Sequence, residues 1–403
     1  MTQYQNAPED VVITGLGMLT AQGLGLDINL RSFDEENNRK TQADYKVVGF
    51  NPAPHLSDRK VVKVVSHRDV LGLVAFEECI KKSALSSKTI NPDRTGLYVG
   101  APPSSCSDHH NYEEAIEASV DTYGVLNEKS FGENFRSASP TTLLTGLPNN
   151  VLCYGAKTLD ARGPNSNYTT LETSGHMAMI GAMRAMRLGR LDCAIAGGYT
   201  AHSDKVFASA MKQRGFSDAT PVAEGAVFAT MEQRAYAEKR GAKPICQLLA
   251  CNAASDAIGP YGTLPEISVL AELIRTSLKN AKIDTTDIQV IMTTGSGIPQ
   301  VNTIEQKAIH SIWIDNPKPI LATTSGRWGN LMEAGGIADI GFLSECYRNR
   351  QIPKSALLSE TLEMDSIKEN FNLSTTDKKH FAIILRASPW GEYSCLIIKM
   401  EAE

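Results

Sequence analysis

The chain has 403 residues, enough for a large core and two structural halves. Hydrophobic residues make up 42% and charged residues 21%, the proportions of a soluble globular protein, and the net charge of −5 argues against nucleic-acid binding. No apolar run is long enough to span a bilayer, and the polar, acidic stretch Met1 to Asp10 is not a signal peptide, so a cytoplasmic protein is expected.

In chain order the pattern is α/β throughout. Val11-Val12-Ile13-Thr14-Gly15 reads as a buried strand with a tight exit. Gly15-Leu16-Gly17-Met18-Leu19-Thr20 begins like a dinucleotide fingerprint, yet it lacks the third glycine and a downstream acidic partner, so no nucleotide site is expected. Arg59, Lys60, Lys63 and Arg68 form a basic patch before a helix over Val70 to Ser83. Gly96 to Gly100 is a second strand, and the polar stretch Ser104 to Asn134 reads as an insertion facing a partner. Within it, Cys106, Asp108, His109 and His110 match no metal-ligand spacing and read as a surface loop. A helix follows over His176 to Leu188, then a strand over Cys193 to Gly198. The second half repeats the style. Strands are expected over Ile245 to Ala254 and Asp287 to Thr294, and helices over Leu264 to Ala281 and Leu331 to Arg348. Two strands, Phe381 to Arg386 and Ser394 to Met400, flank a turn with Pro389 and Gly391. The eight cysteines form no CxxC pair and read mostly as buried, reduced thiols. His67, His109, His110, His202 and His310 fall in no triad spacing.

Six motifs in order carry a resemblance: VVITGLGMLTAQGLG (Val11 to Gly25), the segment 163–175, DCAIAGG (Asp192 to Gly198), AEGAVFATMEQRAYAEKRGAKPICQLLACNAASD (within Val222 to Asp256), TGSGIPQVNTIE (Thr294 to Glu305) and GNLMEAGG (Gly329 to Gly336). Together they resemble the β-ketoacyl-acyl-carrier-protein synthases, condensing enzymes of the thiolase fold. The resemblance implies two duplicated βαβαβαββ halves, 1–244 and 245–403, in a layered α-β-α-β-α architecture.

It also assigns the site positions. Counting from Gly163-Pro164, the slot of the catalytic cysteine falls on Glu172. A thiolate is a strong nucleophile near neutral pH, whereas a carboxylate is weak and gives labile acyl anhydrides. The two histidine slots hold Thr294 and Asn330, and the lysine slot holds Ser325. The loop that gates the pocket and helps form the oxyanion hole corresponds to Ser388-Pro389-Trp390-Gly391, with Pro389 in place of the gating phenylalanine. Condensation needs a thiolate, paired imidazoles and an oxyanion hole. Losing every member implies a silent homologue, of which the chain length factors of type II polyketide systems, and those of aryl polyene synthases, are the nearest kind. By the same resemblance, Ser166, Asn167, Tyr168, Thr169, Thr170 and Leu171 form a strand at the interface with an active ketosynthase, and an acyl carrier protein is reached through that complex. No cofactor or metal is expected.

Several features keep a plainer reading beside the sharper one. Glu172 is either an anion at a helix start, using free N–H groups and the dipole, or a side chain that blocks the pocket to acyl chains. The Met- and Ala-rich run from His176 is either a tightly packed core helix or a flexible wall of a partner's tunnel. The basic patch is a solvated face or a carrier-docking surface. Three functions compete: the silent subunit, an enzyme of altered chemistry using Glu172 for malonyl decarboxylation or thioester hydrolysis, and a homodimeric carrier-binding scaffold.

Overall fold

The computed structural model describes residues 10–33, 45–103, 110–137, 142–202, 209, 211–213, 215–216, 222–257, 267–358, 370–373 and 380–401. Ten main strands and six main helices organise it. They are β1 Val11–Thr20, α1 His67–Lys82, β2 Thr95–Gly100, α2 Asn150–Leu159, β3 Ser166–Tyr168, α3 Ser174–Arg187, β4 Cys193–Thr200 and β5 Gly225–Gln233 in the first half. The second half holds β6 Cys246–Ser255, α4 Ile267–Ala281, β7 Ile288–Met292, α5 Pro299–Ile312, β8 Ile320–Ala322, α6 Met332–Arg348, β9 Phe381–Ala387 and β10 Glu392–Met400.

Hydrogen bonding joins them in the order β3-β2-β4-β5-β1-β6-β10-β9-β7-β8. Each half, numbered by its own strands, therefore runs 3-2-4-5-1, with the first three neighbours parallel and the fifth strand antiparallel to its neighbours on both sides. The halves meet at β1 and β6, where Val11, Val12 and Ile13 pair with Leu248, Gln247 and Cys246. This is the duplicated βαβαβαββ arrangement that the resemblance implied.

The strands are apolar on both faces because both faces are covered. In β9, Ala382 and Ile384 belong to one buried cluster and Ile383 and Leu385 to another, and β10 alternates in the same way. The central cluster holds the buried faces of α3 and α6 between strands of both halves; α3 touches β2 and β4 on one side and β6 and β10 on the other. Helices α1 and α2 cover the outer face of the first half, and α4 and α5 that of the second. The layers thus run helix, sheet, helix, sheet, helix.

Local chemistry sets the element ends. Helix α1 starts three residues earlier than the apolar pattern indicates, because Ser66 and Asp69 form a capping box. The glycines of the failed dinucleotide motif have a packing role: a side chain at Gly15 would strike Ser83 and one at Gly17 would strike the backbone of Ala75, so both let α1 lie close on β1. Met179, Met183 and Met186 are buried in the central cluster, which is the core-helix reading of the Met-rich run. Among described cysteines, Cys153 is exposed and Cys251 half-buried, while Cys79, Cys193, Cys246, Cys346 and Cys395 are buried. Cys106, Asp108 and His109 lie outside the described residues. No helix among the described residues is long and apolar enough to cross a membrane.

Candidate functional site

The chain approaches the site along β3, which is shorter than the sequence reading made it. Only Ser166–Tyr168 is strand, paired on one side to Tyr98, Val99 and Gly100 of β2, and it forms an edge of the sheet. Leu171 then takes a left-handed backbone (φ 51°) and begins a single 3-10 turn, Leu171–Thr173. The Thr170 amide donates to the Ser174 hydroxyl at 2.7 Å, and the Thr173 hydroxyl donates to the Thr170 carbonyl at 2.9 Å. These contacts turn the chain into α3, so Leu171 is not part of the strand.

Glu172 sits on that turn and is 1% exposed. The expectation that its carboxylate uses free N–H groups at a helix start fails, because neither carboxylate oxygen has a hydrogen-bond partner. Its own amide and the Ser388 hydroxyl lie close enough to favour the charged form, but neither meets hydrogen-bond geometry. Burial raises the carboxyl to about 8, with nearby Glu333 and Glu392 adding to the rise. At neutral pH this carboxyl is therefore largely protonated.

The Glu172 turn packs on α6, β9 and β10, and three loops adjoin these elements. The first carries Thr294, whose hydroxyl and amide donate to Glu305 at 2.7 and 2.9 Å; the same hydroxyl accepts from the Ala387 amide at 2.8 Å. Glu305 is buried, and burial raises it to about 7 against the opposing Thr294 bonds. The second carries Ser325, which is half-buried beside Thr323 at 3.1 Å, and Asn330, whose oxygen accepts from the Met332 amide at 2.9 Å. The Asn330 amide nitrogen is buried and has no partner. The third is a turn between β9 and β10: the Ser388 amide donates to the Glu392 carbonyl at 2.8 Å and the Gly391 amide to the Ser388 carbonyl at 3.0 Å. Gly391 takes a left-handed φ of 83° there, and the Trp390 ring lies 6.2 Å from Phe216. Pro389, Trp390 and Gly391 thus form a hydrogen-bonded hairpin turn over the Glu172 carboxyl.

Three further groups were missed by sequence reasoning. His176 lies one turn beyond Glu172 and is 1% exposed; its Nδ1 is 2.8 Å from the Ser394 hydroxyl, and its Nε2 is unpartnered. Burial, then the Arg386 charge, holds it well below the usual histidine value, so the ring is neutral. His202 meets both oxygens of the fully buried Glu333, at 3.0 and 3.1 Å. Arg386 pairs with Asp339 at 2.7 Å, both buried, and the Thr324 hydroxyl donates to the other Asp339 oxygen at 2.7 Å. A charge inside an apolar run was the available signal, as in Ile383-Ile384-Leu385-Arg386 and Ile337-Ala338-Asp339-Ile340.

Among the described residues gathered here none is a cysteine, and the two positions expected to match the family's histidines carry Thr294 and Asn330. The Glu172 carboxyl is neutral, and the Thr294 hydroxyl is already committed. A cavity of about 340 Å3 opens beside Thr293 and Gly295 and reaches Glu305, but Glu172 is not among its walls. The basic patch divides: Arg59, Lys60 and Lys63 are exposed on a 3-10 turn, whereas Arg68 is buried and donates to the backbone carbonyls of Pro103 and Gly146. Arg68 is thus a structural clamp, not a docking cation. His67 contacts Glu224 at 3.2 Å, and His310 is exposed.

Sequence profiles of the β-ketoacyl synthase N-terminal and C-terminal domains match residues 31–229 and 245–359. The 3-oxoacyl-[acyl-carrier-protein] synthase 1 of Haemophilus influenzae is 25% identical, with 92% of each chain covered. The 3-oxoacyl-[acyl-carrier-protein] synthase 2 of Staphylococcus aureus strain COL is 22% identical over 82% of this chain and 84% of its own. Among solved structures, the ishigamide ketosynthase/chain length factor superposes with TM-score 0.79 at 18% identity, covering 98% of this chain and 100% of that one. AntDE:AntF, a type II polyketide acyl carrier protein in complex with its ketosynthase, superposes with TM-score 0.75 at 17% identity, with 98% and 100% covered.

Proposed function

The chain belongs to the β-ketoacyl synthase family, and within that family we propose that it is a non-condensing subunit, a chain length factor. It pairs with an active ketosynthase and shapes the tunnel that receives the growing acyl or polyene chain, in elongation of the fatty-acid, polyketide or aryl polyene type. The halves 1–244 and 245–403 act as one scaffold, in the cytoplasm, and the carrier protein is engaged through the complex. The observation that carries this reading is Glu172: a buried, protonated, unpartnered carboxyl occupies the nucleophile slot and lies under the 388–391 turn. It fills space where an acyl chain would have to enter, and it offers no nucleophile to hold one. The open edge at Ser166–Tyr168 is the surface for the partner's strand, with Thr169, Thr170 and Leu171 carrying the chain from that edge into the site.

The test is native mass spectrometry of the chain expressed alone and together with a candidate ketosynthase. A one-to-one complex, with the lone chain prone to aggregate, is expected. A stable homodimer that ignores every ketosynthase offered would sink the reading in favour of a carrier-binding scaffold.

One observation favours the second reading, that of an enzyme with altered chemistry: a carboxyl that titrates near neutrality is placed to move protons. That reading requires the purified chain alone to consume malonyl- or acyl-thioester and Glu172→Gln to stop it. Our reading expects no consumption by either form.

A further inference from the structure

Residues 110–137, which include the described part of the stretch 104–134 read from the sequence as an insertion, form a small lobe of their own. Its two helices, His110–Glu117 and Glu128–Asn134, pack on each other and on the turn Phe135–Ser137, where the Phe131 and Phe135 rings lie 5.6 Å apart. Arg68 holds the chain on both sides of the lobe, through Pro103 at 2.7 Å and Gly146 at 3.4 Å.

Between the helices runs a tight hairpin. Val120 pairs with Leu126, and the Asn127 amide donates to the Ser119 carbonyl at 2.8 Å. The Asp121 carboxylate accepts from the Tyr123 and Val125 amides at 2.8 and 2.9 Å, and Gly124 supplies the left-handed residue of the turn. The tip is therefore fixed before anything binds. Yet every residue from 120 to 129 is exposed, Tyr123 at 91% and Val125 at 63%. Five of the twelve exposed large hydrophobic side chains among the described residues fall in this lobe (Ile116, Val120, Tyr123, Val125 and Leu126), so the apolar surface is concentrated here and not scattered. A rigid turn that holds a tyrosine and a valine in water adds nothing to this chain's own core. It has the character of a pre-organised anchor for another protein.

Two features select the occupant. The lobe springs from the end of β2 that lies beside the open edge: the Ala101 amide donates to the Tyr168 carbonyl at 2.8 Å, and Arg68 grips the chain two residues later. A protein that extends the sheet at β3 therefore approaches the root of the lobe. The lobe is also acidic, with Glu114, Glu117, Asp121, Glu128 and Glu133 against Lys129 and Arg136. An acidic partner is repelled by that surface, whereas a partner with an apolar recess and a basic rim complements it.

We propose that the 110–137 lobe is a docking arm for the ketosynthase subunit, which receives Tyr123 and Val125 in an apolar, basic-rimmed recess beside the β3 edge. The proposal rests on the reading of this chain as a ketosynthase-pairing subunit. It is tested by titrating the full chain with its ketosynthase, comparing wild type with Tyr123→Ser and Val125→Ser, and by following amide exchange across 119–127 with and without the partner. Both side chains are exposed, so the variants are expected to keep the wild-type melting temperature. Each substitution is expected to raise the dissociation constant by roughly 10- to 100-fold, the scale of an aromatic or apolar anchor, and the hairpin amides are expected to exchange more slowly in the complex. If wild type binds one-to-one and both variants bind within about threefold of it, the arm is refuted while the pairing stands. If wild type binds no ketosynthase, the pairing and the arm fall together. Protection of the hairpin by a second copy, or by carrier protein alone, overturns the assignment of the occupant.

Discussion

Replacing Glu172 by glutamine removes the titratable proton at nearly constant shape, and the change in pH dependence can be worked out from the structure. The carboxyl rises from an ordinary 4.5 to about 8 because it is buried without a hydrogen-bond partner. A raised folded value means that the folded state holds the proton after the unfolded chain has released it. Stability is therefore greatest below about pH 4.5 and declines as pH rises through 8. One pKa unit is about 1.4 kcal/mol, so between pH 5 and pH 8 the wild-type chain loses about 3 to 4 kcal/mol through this group alone. With an unfolding entropy of roughly 2 cal/mol/K per residue, that is about 4 °C for a chain of this length. Glu305 acts in the same direction and His176 acts on the acid side, but both are present in either form and cancel in the difference. The assay is thermal unfolding of wild type and Glu172→Gln in matched buffers from pH 5 to pH 9. The melting temperature of the variant should gain on wild type steadily up to pH 8 and then level off. A buried glutamine brings its own unsatisfied amide, which shifts the whole curve without tilting it. Parallel curves across this range would show that Glu172 is ionised or solvated in the folded chain, and the occluding-acid argument would be wrong.

Three further outcomes follow from the same geometry. Glu172→Cys should restore no condensation, read as ketoacyl product from acyl- and malonyl-carrier protein, because Thr294 and Asn330 supply no imidazole. Arg386→Leu strands the buried Asp339 carboxylate and should lower stability by about 3–5 kcal/mol in denaturant unfolding, with Asp339→Leu added in the same chain recovering most of the loss. Gly336→Ala would drive a methyl group into the His176 ring; it should cost about 1–3 kcal/mol, and His176→Ala should relieve it.

The architecture was legible because it is written in local pattern. The apolar runs ending in glycine became β1, β2 and β4, and the two late runs became the β9–β10 hairpin. The ends were less legible. Ser66 and Asp69 extend α1 by a side-chain bond that no hydrophobic count registers. Leu171 was read as strand because Tyr168-Thr169-Thr170 is β-prone, but the hydroxyls of Thr173 and Ser174 bond back and bend the chain. Arg68 looked like one of four surface cations, and only tertiary contact shows that it clamps two carbonyls. His176 was invisible as a site residue for the same reason: its neighbours, Gly336 and Ser394, come from elements more than 150 positions away.

On the proposed reading, the slots keep the shape of a condensing site without its chemistry. The Thr294 hydroxyl is shared between Glu305 and the Ala387 amide, the Asn330 oxygen takes the Met332 amide, and Ser325 lies against Thr323. Thr294 thus ties its loop to Glu305 and to the end of β9, while Asn330 and Ser325 each bond within their own loop. Glu172 is the exception, since its carboxyl joins nothing. A strut placed there would tie the α3 turn to the hairpin above it, whereas an unpaired neutral acid occupies volume and leaves both backbones where they are. An occluded slot on an intact scaffold needs that combination, and Glu172→Gln, which keeps the volume and removes the proton, is the substitution that tells occupancy from proton chemistry.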